Sequence, residues 1–187
     1  DEWVPIKPGT DGALLLALIH ETIARGLYDR AFLARYTNAG QLVNQDAASD
    51  DFGMMLRNAA GDKVNPLRPH NFWWWDRLTK TAVADHSAGA DPALLGHFEL
   101  PDGTPGVPAF QLLADRVKAY TPEWAEGITG IPAGTIRRLA HEMGITARDQ
   151  RIELPIAWTD CWGQRHKSVI GRPVAFHAMR GLAAHSN

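Results

Sequence analysis

The sequence predicts an α/β fold: a Rossmann-like, parallel-sheet domain carrying an irregular, partly β insertion. Three observations predict it. Apolar patterning runs strand, helices, strand, helix in chain order. A stretch rich in Gly, Pro, Asp and Asn with no helical period, residues 38–108, splits that pattern in two. The composition, 45% hydrophobic and 21% charged over 187 residues, suits a domain with a core and is incompatible with wholesale disorder. The expected organisation is residues 1–37 as strand, helix and helix, residues 38–108 as the insertion, and residues 109–187 as the helices, strand and final helix that complete the α/β domain.

Residues 3–6 are β-prone and close on Lys7-Pro8-Gly9, after which Thr10 or Asp11 can cap a helix by accepting from its free N–H groups. From Ala13 the pattern is apolar almost all round and then narrows to a stripe of Leu15, Leu18, Ile19 and Ile23, the pattern of a helix lying against a sheet. Gly26 is placed to end that helix in the left-handed conformation, and Asp29 can cap a second, short helix with Phe32, Leu33 and Tyr36 facing inward. Within the insertion, residues 52–57 and 72–76 are strand candidates on either side of a Gly61-Asp62 turn, and residues 96–107 form a candidate hairpin around Asp102-Gly103. Helical spacing returns with Phe110, Leu113, Val117 and Tyr120, and Thr121-Pro122-Glu123 supplies a fresh cap and first turn. Pro132 then opens the most regular helix. Ile136, Leu139, Ala140 and Met143 recur along it, Gly144 follows the last periodic residue, and Arg137, Arg138, His141 and Glu142 occupy its solvent face. Residues 151–158 read as a buried strand and residues 174–184 as a final helix.

Charge and composition exclude several function classes. Lys plus Arg at 19 against Asp plus Glu at 21 leaves a net charge of −2, so no global field recruits nucleic acid or an anionic membrane. The longest apolar run, Ala13 to Ile19, is far short of the roughly 20 residues a spanning helix needs, and no secretory signal is read in this stretch. A single cysteine, Cys161, excludes an internal disulfide framework. The start without Met, as if inside a strand, and the stop at Asn187 on a helix-like pattern are those expected of a piece of a longer polypeptide.

In an open α/β sheet, ligands sit at the carboxyl ends of the strands, where helix N-termini present unpaired N–H groups. Two loops qualify. In residues 7–12, Gly9 permits close backbone approach and Asp11 offers a carboxylate to a pair of donors, such as a ribose diol or the N1 and N2 edge of guanine. The plainer alternative is that Thr10 and Asp11 are caps only. The G-x-G-x-x-G dinucleotide fingerprint is absent. The second loop, residues 158–172, gathers Thr159, Asp160, Cys161, Gln164, Arg165, His166, Lys167 and Arg172, a set that could hold phosphates or could simply be a solvated loop. Cys161 has no second thiol nearby and reads as inert. None of the eight histidines forms H-x-x-x-H or H-E-x-x-H, so no metal ligand is assigned, and His177 and His185 read as packed or capping. His177 and Arg180 share a helical face that would point to an anionic site if it lined a cleft. Trp73, Trp74 and Trp75 cannot all face one core from a strand, so at least one is expected to be exposed or covered by a partner.

Three ordered motifs carry a resemblance. They are Trp-Val-Pro-Ile-Lys-Pro-Gly-Thr-Asp-Gly-Ala-Leu-Leu-Leu-Ala-Leu at residues 3–18, Gly-Leu-Tyr-Asp-Arg-Ala-Phe-Leu at residues 26–33, and Thr-Pro-Glu-Trp-Ala-Glu-Gly-Ile-Thr-Gly-Ile-Pro at residues 121–132 followed by Ile-Arg-Arg-Leu-Ala at residues 136–140. Together they resemble the catalytic subunits of the dimethyl sulfoxide reductase family of molybdopterin oxidoreductases; the insertion is not part of the general family pattern. The resemblance implies an excerpt of one α/β domain from a larger enzyme that holds molybdenum or tungsten between two molybdopterin guanine dinucleotides. It implies that Gly9, Thr10 and Asp11 help bind one guanosine end and that the loop starting at Trp158 and Thr159 lies near the cofactor, although Trp-Thr-Asp-Cys-Trp replaces the family's usual glycines there. No catalytic residue is assigned.

The ending at residues 171–187 is similar to a subgroup of sulfite-oxidising and polysulfide or thiosulfate enzymes. That likeness implies a parent acting on a sulfur oxyanion such as sulfite. Its implied partners are the rest of the catalytic subunit, an iron–sulfur electron-transfer subunit and a membrane-anchor subunit. It implies a cytoplasmic location, membrane-associated through partners, with the periplasm left open. The family's amino-terminal cysteine motif for a [4Fe–4S] cluster is absent from this stretch, as is the segment supplying the metal's protein ligand, and Cys161 does not match that position. The chain by itself is therefore expected not to turn over. The alternatives are a formate dehydrogenase-like parent, or a non-catalytic nucleotide-binding or assembly module that docks a partner through the aromatic insertion.

Overall fold

The computed structural model describes residues 2–58, 71–160 and 163–177. Among them are helices α1 (Asp11–Ala24), α2 (Arg30–Tyr36), α3 (Ala109–Val117), α4 (Pro122–Thr129) and α5 (Ala133–Asp149). The strands are β1 (Leu42–Asn44), β2 (Trp73–Asp76), β3 (Thr81–Ala84), β4 (Phe98–Glu99), β5 (Pro105–Pro108), β6 (Ile152–Leu154), β7 (Trp158–Thr159), β8 (Arg165–His166) and β9 (Val169–Gly171). The chain folds as two units, one of Asp1–Asp29 with Val117–Asn187 and one of Arg30–Arg116.

In the first unit, α1, α4 and α5 pack around Ala17, Leu18, Ala125, Ile131, Ile136 and Ala140, with Val4 and Ile6 laid against the same cluster. Residues 3–6 are extended but join no sheet; Lys7 N instead donates to Thr129 O at 3.1 Å. The buried line of α1 runs through Leu14, Ala17, Leu18 and Glu21, while Ile19, expected in the stripe, is 37% exposed. Leu15 and Leu18 of the expected stripe do pack on this core, and only Ile19 turns out of it, α1 packing on two helices rather than on a sheet. Gly26, at φ 63°, ends α1 as expected: its N–H donates to Ile23 O at 3.0 Å and Leu27 N–H to Thr22 O at 2.9 Å, which satisfies two of the last carbonyls. Thr121 caps α4 by accepting from Trp124 N at 3.3 Å, Pro122 occupies the first turn, and Gly130 closes the helix at φ 78°. Gly144 does not end α5; the helix runs on to Asp149, and Gly144 is buried within it where Leu27 packs.

The mixed helix-and-strand class stands. Every strand pairing among the described residues is antiparallel, in the orders β1-β5-β4, β2-β3, β6-β9 and β7-β8, so the expected parallel sheet is not formed within them. Parallel neighbours need a crossover between strands, whereas these strands turn back on one another. Residues 151–158 are not buried: Ile152, Leu154 and Trp158 are 44%, 45% and 44% exposed. Residues 174–177 are not helical, and the rest of the expected final helix lies outside the described residues, as does the Gly61-Asp62 turn.

In the second unit, α2 buries Ala34, and Phe32 and Tyr36 are exposed with ring centroids 5.2 Å apart. The expected inward face was wrong because two aromatics four apart on a short helix satisfy one another at the surface. Residues 52–57 form only bridges, Val43 with Met55 and Arg57 with Phe72. The hairpin around Asp102-Gly103 is present as β4–β5, with Gly103 at φ 86° and Thr104 N donating to Asp102 Oδ1 at 2.9 Å. No tryptophan of β2 is left bare: Trp74 is buried against His86 (4.7 Å) and Trp75 stacks on Phe98 (4.6 Å, 11° between planes). Trp73 and Trp75 share the face opposite Trp74 and stay half-buried. On α3 the buried residues are Phe110, Ala114 and Val117, with Leu113 42% exposed and Tyr120 beyond the helix end.

Candidate functional site

The turn before α1 is built by one carbonyl. Lys7 O accepts both the Thr10 N–H (3.3 Å) and the Thr10 hydroxyl (2.7 Å), so the hydroxyl closes the turn backward and does not cap the helix as the sequence suggested. Thr10 O then accepts from Ala13 N at 3.0 Å and Leu14 N at 3.4 Å. The Asp11 and Gly12 amides meet no acceptor among the described residues. Gly9 sits at φ +77°, and the position a Cβ would take there has no atom within 4 Å, so a ligand can approach the backbone directly. Asp11 is half-buried and supplies the acidic residue of the first turn, at the positive end of the helix. The arrangement can present two N–H donors and one two-oxygen acceptor to the same ligand.

Trp158 and Thr159 lie in a separate hairpin, opposite His166 and Arg165. The indole stacks on the His166 ring (4.6 Å, 19°) and its Nε1 donates to Ser168 O at 3.0 Å. Asp160 ties the loop, accepting from Gln164 N at 2.9 Å and meeting His166 Nε2 at 3.0 Å. Each of the two sets of predicted residues makes its described contacts within its own turn. Arg165 and Lys167 are exposed, but Arg172 is not available to a phosphate: its guanidinium binds Ala147 O, Arg148 O and the Asp29 carboxylate. The C-terminal carbonyls of α5 attract the cation, and that is why this member of the expected phosphate set is diverted. Cys161 lies outside the described residues.

A charge network beneath α1 escapes sequence reading. Glu21, 6% exposed, meets Arg25 at 2.6 Å and Arg137 at 3.6 Å, and Arg137 also binds Glu123. The Arg137 guanidinium holds the Glu123 carboxyl below its usual range and is itself raised by Glu123. Only the i, i+4 spacing of Glu21 and Arg25 is visible in sequence. In the second unit, buried Asp76 is lowered to about 2, chiefly by the Asp91 amide and then the Thr79 hydroxyl. Among the described residues no group of three or more His, Cys, Asp or Glu could hold a metal ion.

No protein-family model matches the chain. It is 62% identical over 187 residues to a sulfite dehydrogenase subunit of Allochromatium vinosum, a match covering 100% of this chain and 19% of that protein. It is 34% identical over 148 residues to the alpha subunit of dimethylsulfide dehydrogenase of Rhodovulum sulfidophilum, covering 73% of this chain and 15% of that protein. It is 31% identical over 167 residues to dimethyl sulfoxide reductase DmsA of Escherichia coli, covering 89% of this chain and 13% of that protein. The chain belongs to the dimethyl sulfoxide reductase family of molybdopterin oxidoreductases. It spans about a fifth or less of the length of these relatives. Both the Lys7–Gly12 turn and the Trp158–His166 hairpin fall within the stretch that aligns with the sulfite dehydrogenase subunit from end to end.

Proposed function

We propose that this chain supplies part of the guanine-dinucleotide cradle in the catalytic subunit of a molybdopterin oxidoreductase whose parent polypeptide oxidises a sulfur oxyanion such as sulfite. The 62% identity to the sulfite dehydrogenase subunit over all of this chain carries the reading of the parent. The turn before α1 supports the reading of the cradle, because its donors and acceptor fit the group. Asp11 would accept from the N1–H and N2–H edge of guanine or from a ribose diol, and the Asp11 and Gly12 amides would face an anionic oxygen. Gly9 leaves the backbone open for that approach. Thr10 holds the turn shut behind them through Lys7 O. In the second hairpin, Trp158 offers a flat wall already braced by His166, and Thr159 offers a hydroxyl.

The molybdenum or tungsten pterin, when bound, supplies the two-electron and oxygen-atom chemistry; the groups of this chain bind and orient its nucleotide end. A [4Fe–4S] cluster elsewhere in the parent, an iron–sulfur partner and a membrane anchor would carry the electrons onward. The test is Asp11→Ala in the full parent enzyme. Leaving the guanine donors without an acceptor should weaken nucleotide retention by roughly 1–3 kcal/mol, read as a fall in guanine nucleotide released by acid and a parallel fall in molybdenum. Unchanged guanine content refutes the cradle. Sulfite-dependent acceptor reduction by the unsubstituted enzyme, compared with dimethyl sulfide, tests the substrate separately.

A further inference from the structure

Past Ile6, which packs on the core of the first unit, the segment leading into the turn before α1 is tied down at one residue. Lys7 N–H donates to Thr129 O at 3.1 Å, the only backbone hydrogen bond among the described residues that joins residues 2–10 to anything beyond α1. The carbonyl of the same residue accepts from Thr10 and builds the turn. Lys7 is therefore a two-sided joint: the last residue of α4 holds its N–H, and its carbonyl holds the turn that presents Asp11.

Thr129 O is one of the carbonyls that a helix end leaves without a partner inside the helix, so its direction depends on how that end is finished. Here one buried hydroxyl finishes it. Thr129 is 1% exposed, and its Oγ1 donates back to Ala125 O at 2.8 Å and accepts from Ile131 N at 3.1 Å. The two bonds grip the chain on both sides of the Thr129–Gly130 peptide, whose oxygen is the acceptor for Lys7. Back-bonding of a threonine to the carbonyl four residues earlier adds no stability to a helix, so the hydroxyl's contribution lies in the corner it shapes. Gly130 follows in the left-handed region at φ 78°, its N–H on Glu126 O at 2.9 Å. The position a Cβ would take there is 3.4 Å from Lys7 Cε, so the Lys7 stem lies over the corner that holds its own amide.

We infer that Thr129 is a positioning residue for the nucleotide cradle, acting through Lys7: its hydroxyl fixes the corner after α4, the corner fixes the Lys7 amide, and Lys7 fixes the turn at Asp11. The inference rests on the proposed cradle and adds to it a residue that touches no ligand. Binding groups work only when held to within about 0.5 Å of their productive geometry, so a displaced corner is felt at the turn.

The experiment uses three variants of the full parent enzyme. Thr129→Val keeps the branched shape and removes the hydroxyl, Thr129→Ser keeps the hydroxyl, and Thr121→Ala weakens the same helix at its other end. Guanine nucleotide per folded polypeptide, followed through dialysis, and hydrogen exchange at the Lys7 amide are both read. Thr129→Val should exchange faster at Lys7 and lose guanine roughly fivefold faster, the effect of one missing hydrogen bond. Thr129→Ser should match the unsubstituted enzyme, and Thr121→Ala should keep its guanine. Equal loss in Thr129→Val and Thr121→Ala is the signature of a merely structural role and overturns the inference, as does unchanged exchange at Lys7 in Thr129→Val. A Thr129→Ser variant that behaves like Thr129→Val overturns it too. If Thr129→Val does not accumulate, Gly130→Ala disturbs the corner from its exposed side, and full guanine retention there overturns the inference. Asp11→Ala in the same series separates the two readings: guanine retained in it refutes the cradle, whereas guanine lost in it but retained in Thr129→Val refutes the positioning role alone.

Discussion

At the scale of single residues, two positions show how packing outweighs local preference. Gly144 lies in the interior of α5, where alanine is favoured by about 1 kcal/mol on propensity alone. A Cβ at that position would stand 2.6 Å from Leu27 Cβ, an atom fixed to the backbone just after the α1 cap. Gly144→Ala should therefore destabilise the unit by about 1–3 kcal/mol, seen as faster pulse proteolysis, and Leu27→Gly, which removes the clashing Cβ, should relieve the clash in the double variant whereas Leu27→Ala, which keeps it, should not. Gly26 was legible from sequence because a helix end announces itself locally; Gly144 was not, because its reason is a side chain far away in sequence. Asp76 gives the second case. Its carboxylate accepts from Asp91 N (3.0 Å), Leu78 N (3.2 Å), Thr79 N (3.2 Å) and the Thr79 hydroxyl (2.8 Å), and is lowered from 3.8 to about 2. A lowered folded-state value means stability that is complete above about pH 4 and drains away as pH falls toward 2. Asp76→Asn should be less stable near neutrality and lack that acid-limb slope, followed through tryptophan emission from β2 between about pH 5 and 2.

At the scale of elements, the chain was legible where a cap or turn fixes the boundary. Thr121-Pro122 and Gly130 bracket α4 as local chemistry demands, and Asp102-Gly103 turns β4 into β5. Thr121→Ala should cost about 1 kcal/mol by freeing Trp124 N, measurable as a lower denaturation midpoint with an unchanged slope. Illegible elements lack such signals. β1 and β3 are three and four residues long without alternation; β3 meets β2 by a local chain reversal, whereas β1 meets β5 across a long stretch of chain that no local pattern announces. On α1, Leu15 and Leu18 lie on the buried line as the pattern indicates but Ile19 does not, because the sequence is apolar almost all round and its neighbours decide the edge of that line. The site shows the same division. Gly9 and Asp11 could be placed from the turn signal, but the diversion of the Thr10 hydroxyl to Lys7 O and of Arg172 to the end of α5 depends on tertiary geometry.

At the scale of the whole molecule, the three motifs that reveal the family are spread over residues 3–140, yet the parallel sheet they imply is not assembled among the described residues. β6 leaves its apolar residues exposed in this chain, and one substitution made both here and in the longer parent distinguishes a bare strand from a buried one. Leu154→Lys removes apolar surface that is 45% exposed here, so the 187-residue chain made alone should aggregate less, measured as soluble yield and light scattering. In a parent that buries this face, the same lysine loses about 2–3 kcal/mol of leucine burial and adds the desolvation of an unpaired ammonium. Less parent enzyme should then accumulate, with molybdenum per surviving molecule unchanged, since Leu154 lies outside the proposed cradle. A lysine that is harmless to the parent would mean that β6 faces water there too, and its apolar run would then owe nothing to a sheet.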